Sequence, residues 1–409
     1  MSNELYIRSD RIFTADPEKP VLFDGYIKIV DDKIDALLTV NEADIPDGVK
    51  VHDYTGHLVT PGFIDAHTHL VHAGSRHHEL GAKLRGESYL DIHEMSGILY
   101  TVRKTRDASY EALYERSKAT LQRMLACGVT TLEAKSGYGL DKETEIRCLE
   151  VARDLNGYQW IDIESTFMGA HAIPPEFEGR PDDYLDYLIK DVLPVIKRKR
   201  LARFVDVFCE DKFFTIEQSE RFLKAAKEMG FLLKIHADEI TSSGGAELAA
   251  KLGCVSAEHL MAVSDKGIKD MAKAGTVACV LPNTTYFLME DTYAPVKKML
   301  KEGVTLAIST DYNPGSSPTE NIQFAMALAV FMMKMNPVDV LLAVTRGAAA
   351  AIDRHDIGQL KEGYLADIFV SYSRDPDQLF YRPGSNQTKR VFKKGKMVYR
   401  GTAVPHILH

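Results

Sequence analysis

Residues 61–70 read PGFIDAHTHL, and this stretch decides how the rest of the chain is parsed. A turn at Pro61-Gly62 delivers a short apolar run, Phe63-Ile64, that ends in His67 and His69. Residues two apart on a strand point to one face, so both imidazoles look the same way. The pattern recurs in TTLEAKSG from Thr130, IDIESTFMGAH from Ile161, FVDVFCE from Phe204, FLLKIHADE from Phe231, CVSAEHL from Cys254, TVACVLPN from Thr276 and VTLAISTD from Val304. Amphipathic helical runs, such as YEALYERSKATLQRMLACG from Tyr110 and IEQSERFLKAAKEMG from Ile216, separate several of these segments. Gly128, Gly230, Gly275 and Gly303 stand between a helical run and the next strand, where a helix is commonly ended. Eight parallel strands close a barrel, so the expected fold class is α/β, a (β/α)8 TIM-like barrel.

Outward from that core the texture changes. The first sixty residues read as short strands with turn punctuation, among them two apolar runs flanking Asp31-Asp32-Lys33. The last forty-five read alike, with GYLADIFVSY and a hairpin, VFKKGKMVYRG, turning at Lys394-Gly395. Residues 1–60 plus 365–409 are therefore expected to form one small composite β-sandwich domain built from both termini, and 61–364 the barrel.

Composition narrows the function. In 409 residues, 50 Lys and Arg stand against 58 Asp and Glu, a formal charge of −8 that argues against nucleic-acid or anionic-membrane partners. The five cysteines are odd in number and form no CxxC pair, and the N-terminus has charges where a leader needs an apolar core; a cytoplasmic protein is the simplest reading. The longest apolar run, Phe324 to Met333, is about half a membrane span and reads as a buried or subunit-contact helix. GYGLDK lacks the third glycine of a dinucleotide fingerprint, and neither GxxxxGK[ST] nor GxSxG occurs.

Barrel active sites lie at the C-terminal ends of the strands, and here those ends carry His67, His69, Lys135, His171, Glu210, His236, Glu239, His259 and Asp311. Three imidazoles, His67, His69 and His236, with the Asp311 carboxylate would converge on a borderline cation such as zinc or iron and leave a position for water. Hydroxide on that ion could act as a nucleophile, with Asp311 taking the proton. Glu239, three residues past His236, either shuttles protons in the pocket or caps the following helix. His259 either hydrogen-bonds the oxygen that becomes negative or is a satisfied core histidine. Arg76, nine residues beyond His67, offers a fork to a substrate carboxylate or is a solvated loop residue.

These residues carry a close resemblance. PGFIDAHTHL followed by SR, AKSGYGL, FMGAHAIPPE, KIHADE, AEHL and STDYNPGSSPTEN resemble the imidazolonepropionases of the amidohydrolase superfamily over nearly the whole chain. The resemblance implies a homodimer with one zinc or iron ion per chain. It implies hydrolysis of 4-imidazolone-5-propanoate, a small molecule with a carboxylate side chain, to N-formimidoyl-L-glutamate in histidine degradation. It makes His67, His69, His236 and Asp311 the metal ligands, and Arg76, Tyr138, His171, Glu239, Asn313, Gly315 and Ser316 the substrate contacts. Binuclear relatives place a bridging lysine on the fourth strand, where FVDVFCE has none, so a mononuclear site is expected. Departures from the family pattern fall at His72-Ala73, Asn283 and Arg346-Gly347, and bear on substrate preference. Two other readings are a superfamily deaminase acting on an aminated heterocycle, against which Arg76 argues, and a non-enzymatic scaffold, which would be expected to lose ligands.

Overall fold

The computed structural model describes residues 4–18, 23–85, 97–156 and 160–402. Eight parallel strands pair in chain order: β1 (Phe63–Asp65), β2 (Val129–Lys135), β3 (Asp162–Ala170), β4 (Phe204–Cys209), β5 (Leu232–Ala237), β6 (Ser256–His259), β7 (Val277–Val280) and β8 (Leu306–Ile308). The ring closes past the ends of β1 and β8, where Thr68 bridges Tyr312 and the Asp311 amide donates to the His67 carbonyl at 3.0 Å. The expected barrel is thus the observed one. β2, β4, β6, β7 and β8 are buried along their whole length, as strands with side chains in the barrel and under helices must be. The four glycines singled out before strands all have positive φ, from +73° to +97°, the left-handed turn that stops a helix.

Both termini build a second, mixed sheet of eight strands. Val59–Pro61 sits inside it, pairing with Ile12 of Glu4–Ile12 on one side and antiparallel with Ile368–Ser371 on the other. Its chain passes through Gly62 straight into β1, so this sheet anchors the segment that presents His67 and His69. Ile7, Ile27, Ile29, Val59, Ile368, Val370 and Phe392 form the sheet's own core. The hairpins at Asp31 and at Lys394-Gly395 are present, with positive φ at all three residues. Residues 1–3, 19–22 and 403–409 of the expected composite span lie outside the described residues.

One aromatic contact joins the two bodies. The Phe63 ring packs on Phe369 with centroids 4.3 Å apart, and a Cβ on Gly128 would fall 2.7 Å from the Phe369 ring and 2.9 Å from the Phe63 ring. Both rings are fully buried, so Phe369→Ala should cost about 3–5 kcal/mol of stability, read as a lower denaturant midpoint, and metal content of the folded protein should not change. A midpoint equal to the parent's would show that the contact does not hold the sheet to the barrel.

Candidate active site

The polar strand ends meet at one mouth of the barrel. His67 and His69 lie on the extended segment just past β1, His236 within β5, His259 at the end of β6, and Asp311 three residues past β8. Ring centroids are 4.7 Å apart for His67 and His236, 5.0 Å for His236 and His259, and 5.6 Å for His67 and His69. Asp311 Oδ1 is 3.3 Å from His67 Nε2 and 3.8 Å from His69 Nε2. One ligand atom each from His67, His69 and Asp311 lie within 4.8 Å of one another, and so do those of His67, His236 and His259.

This donor set fits a metal ion. His67 Nε2 is buried without a hydrogen-bond partner among the described residues, a costly arrangement unless a cation takes its lone pair. Burial, reinforced by neighbouring imidazoles and by Lys135, pushes the His67, His69 and His259 rings well below the usual histidine range, which keeps them neutral and able to ligate. Burial pushes Asp311 up to about 6, and a cation beside it acts in the opposite sense. Asp238, His259, Leu260 and Asp311 all have φ between +50° and +72°, a region that non-glycine residues avoid and that clusters at functional sites.

Glu239 is buried, with Oε2 3.5 Å from His259 Nε2. Burial, then the nearby carboxylates Asp311 and Glu210, push its carboxyl well above the usual range. It does not cap the following helix. That task falls to Asp238, whose carboxylate accepts from the amides of Gly244, Gly245 and Ala246 at 2.9–3.2 Å. Glu210 accepts from the amides of Ile240 and Thr241, so it pins the loop that carries Glu239.

On the opposite side Arg76 and Gly315 touch. Arg76 is buried and its Nε donates to Glu79 Oε1 at 2.7 Å. A Cβ on Gly315 would fall 2.1 Å from Arg76 Nη1, so the guanidinium lies where any larger residue would stand. Asn313 folds this loop: Oδ1 accepts from the Gly315 and Ser316 amides, both at 2.8 Å, and Nδ2 donates to the Asp311 carbonyl at 2.7 Å. Lys83 Nζ donates to the Gly315 carbonyl at 2.5 Å. His171 stacks on His69 at 4.9 Å, and the Tyr138 ring lies 5.2 Å from His171 and 5.4 Å from His69. Every site residue singled out from the sequence thus lies at this mouth or in the loops that form it.

Several contributors were not singled out. Glu145 accepts from the amides of Gly137, Gly139 and Leu140 and so shapes the loop bearing Tyr138. Thr284 Oγ1 donates to Asp311 Oδ2 at 2.6 Å. Glu258 accepts from His67 Nδ1 at 2.8 Å, and Asp206 lies 3.1 Å from His236 Nδ1. Lys135, already named as a strand-end residue, ends β2 with its ammonium among Glu133 and Asp206, 3.0 and 2.7 Å away. Of the departures, His72 packs behind Tyr138 and bonds the His69 carbonyl, Asn283 Nδ2 donates to the Thr310 carbonyl, and Gly347 lies against the Leu306 carbonyl at the opposite end of β8.

Residues 58–398 match the profile of the amidohydrolase family. The chain is 51% identical over 401 residues to the imidazolonepropionase of Treponema denticola, covering 95% of this chain and 96% of that protein. It is 50% identical over 387 residues to the imidazolonepropionase of Streptococcus sanguinis, covering 93% and 91%. Among solved structures it is similar to a triazine hydrolase variant, with TM-score 0.76 and 20% identity over 98% of this chain and 97% of that one. It is also similar to an adenosine deaminase from Xanthomonas campestris with bound zinc, with TM-score 0.69 and 18% identity over 96% and 92%. At those identities the likeness is one of fold.

Proposed function

The chain belongs to the imidazolonepropionase family of amidohydrolases, and we propose that it hydrolyses 4-imidazolone-5-propanoate to N-formimidoyl-L-glutamate in histidine degradation. A ring C–N bond breaks, the water oxygen ends on the carbonyl carbon, and a proton ends on the ring nitrogen. The observation that carries the reading beyond family membership is the buried mouth in which Asp311, Glu239 and His259 stand beside the histidine cluster while Arg76 closes one side.

His67, His69, His236 and Asp311 would hold one zinc or iron ion per chain. When bound, the ion supplies Lewis acidity, which lowers the pKa of a water from about 15.7 to about 7. Asp311 is the base that takes the water's proton. Glu239, whose protonated form burial favours, passes a proton to the ring nitrogen as the bond breaks. His259 donates to the oxygen that gains charge. The propionate arm seats on Arg76, with Tyr138, His171, Gly315 and Ser316 around it, and Asn313 keeps Gly315 flat against the guanidinium. Phe331, Met332 and Tyr381 are exposed apolar side chains at the C-terminal ends of two helices that pack together, which supports a homodimer. The five cysteines are all free, which suits the cytoplasm. The division into 1–60 plus 365–409 and 61–364 belongs to the same reading.

The test is turnover of freshly prepared imidazolonepropionate, followed by loss of its ultraviolet absorbance, with the product identified. Formimidoylglutamate supports ring opening, whereas ammonia released in step with substrate loss from an aminated heterocycle would replace it with the deaminase reading. Arg76 offers a second check. Losing a charge-assisted pair costs about 2–5 kcal/mol, so Arg76→Ala should lower kcat/KM by roughly 30-fold to 4,000-fold. Arg76→Lys should recover only part of it, because the bidentate fork is gone. Unchanged kcat/KM in Arg76→Ala would place the propionate elsewhere.

A further inference from the structure

Beneath the histidines the barrel interior is filled with charge instead of the aliphatic layers that usually pack such a core. Glu133 and Lys135 on β2, Asp206 on β4, Lys234 on β5 and Glu258 on β6 are all buried to 1% exposure or less. Each shares its strand face with a neighbour two residues away, so Lys234 lies directly below His236 and Glu133 below Lys135. Lys135 Nζ is 2.7 Å from Asp206 Oδ2 and 3.0 Å from Glu133 Oε1. Lys234 Nζ is 3.0 Å from Glu133 Oε2 and 3.6 Å from Glu258 Oε1, and Ser256 Oγ donates to the same Glu258 oxygen at 2.5 Å. Thr166 donates to Glu133. Apolar residues of similar volume would often serve stability as well or better, so stability is a poor reason for five buried charges.

The chain of contacts ends on two histidines. Glu258 Oε2 accepts from His67 Nδ1 at 2.8 Å, and Asp206 Oδ2 lies 3.1 Å from His236 Nδ1. Among the described residues, His69, by contrast, has only a backbone carbonyl near Nδ1, that of Ser136 at 3.4 Å. We infer that Glu258 and Asp206, held in place by Lys234, Lys135 and Glu133, are positioning residues that fix His67 and His236 with Nε2 turned toward the centre of the cluster. A carboxylate at Nδ1 selects the tautomer whose lone pair is on Nε2, fixes the ring's rotation and raises its basicity as a ligand. The five residues thereby tie β2, β4, β5 and β6 to the ligand set of β1 and β5. This inference rests on reading the cluster as a metal centre.

The experiment strips the metal from the full-length protein and titrates it with zinc against a chromophoric chelator. Glu258→Gln and Asp206→Asn keep the shape of the side chain and remove the charge. Each should bind zinc about 10-fold to 100-fold more weakly than the parent while remaining folded by circular dichroism. A residue that only supports the core would lower the melting temperature of the metal-free protein and leave zinc affinity of the folded protein unchanged, and that result in both variants overturns the inference. If neither variant folds, Ser256→Ala removes only the hydroxyl that holds Glu258. Weaker zinc binding there supports the inference, and parental binding refutes it. A parent protein that binds no zinc would instead remove the metal reading itself, which separates the two failures.

Discussion

Asp311→Asn protein, loaded with zinc, should turn over imidazolonepropionate about 10²-fold to 10⁴-fold more slowly than the parent. The substitution keeps the size and shape of the side chain, and loading with zinc offsets the weaker ligation by a neutral amide. Asp311 sits at φ +52°, a conformation that asparagine tolerates better than most residues, so the loop has no reason to refold. An amide keeps an oxygen to accept from Thr284 Oγ1, which now donates to Asp311 Oδ2 at 2.6 Å. What the amide cannot do is accept the proton released by the attacking water. Elemental analysis and kcat measured on one sample decide the matter: retained metal with lost turnover assigns the base to Asp311, and retained metal with parental turnover assigns it elsewhere. Dialysis of the parent against a chelator should abolish activity, and zinc or iron(II) should restore it at one equivalent per chain.

Much of the architecture was legible because the signals were local. β2, β5, β7 and β8 each follow a helix ended by a positive-φ glycine, and the hairpin at Lys394-Gly395 carries its turn in two residues. The site was legible for a related reason. A barrel brings strand ends together whatever the loops do, so His67, His236, His259 and Asp311 could be assigned to one mouth before any distance was known. Most of the contributors that escaped are defined by pairs distant in sequence. Glu258 is 191 residues from His67, and Lys234 and Asp206 sit on strands whose alternation reads as ordinary core. Glu145 looks like a solvated helix residue until its three backbone donors are seen. The placement of Val59–Pro61 against Ile368–Ser371 likewise joins segments from opposite ends of the chain, and no local pattern encodes it.

Glu239→Gln is where local reading left two roles open and geometry separates them. A helix cap needs its carboxylate at the amides that open the helix, and Asp238 already accepts from Gly244, Gly245 and Ala246. Glu239 instead faces His259 at 3.5 Å, in a setting where burial and two neighbouring carboxylates favour its protonated form. A carboxyl whose protonated form is favoured by burial is suited to deliver a proton to a leaving nitrogen, and glutamine, equal in shape, cannot. The variant should therefore keep its metal, bind substrate with little change, and lose kcat by about 10²-fold to 10⁴-fold. Loss of metal together with activity would make Glu239 a ligand or a support for one. Parental kcat would leave the proton to His259 or to solvent, and the carboxyl's burial beside the cluster would then have no catalytic reason. Because a deaminase could use the same glutamate, the product of the residual reaction must be identified in the same assay. Formimidoylglutamate formed slowly ties Glu239 to ring opening, since it shows the same bond breaking with only its proton donor removed.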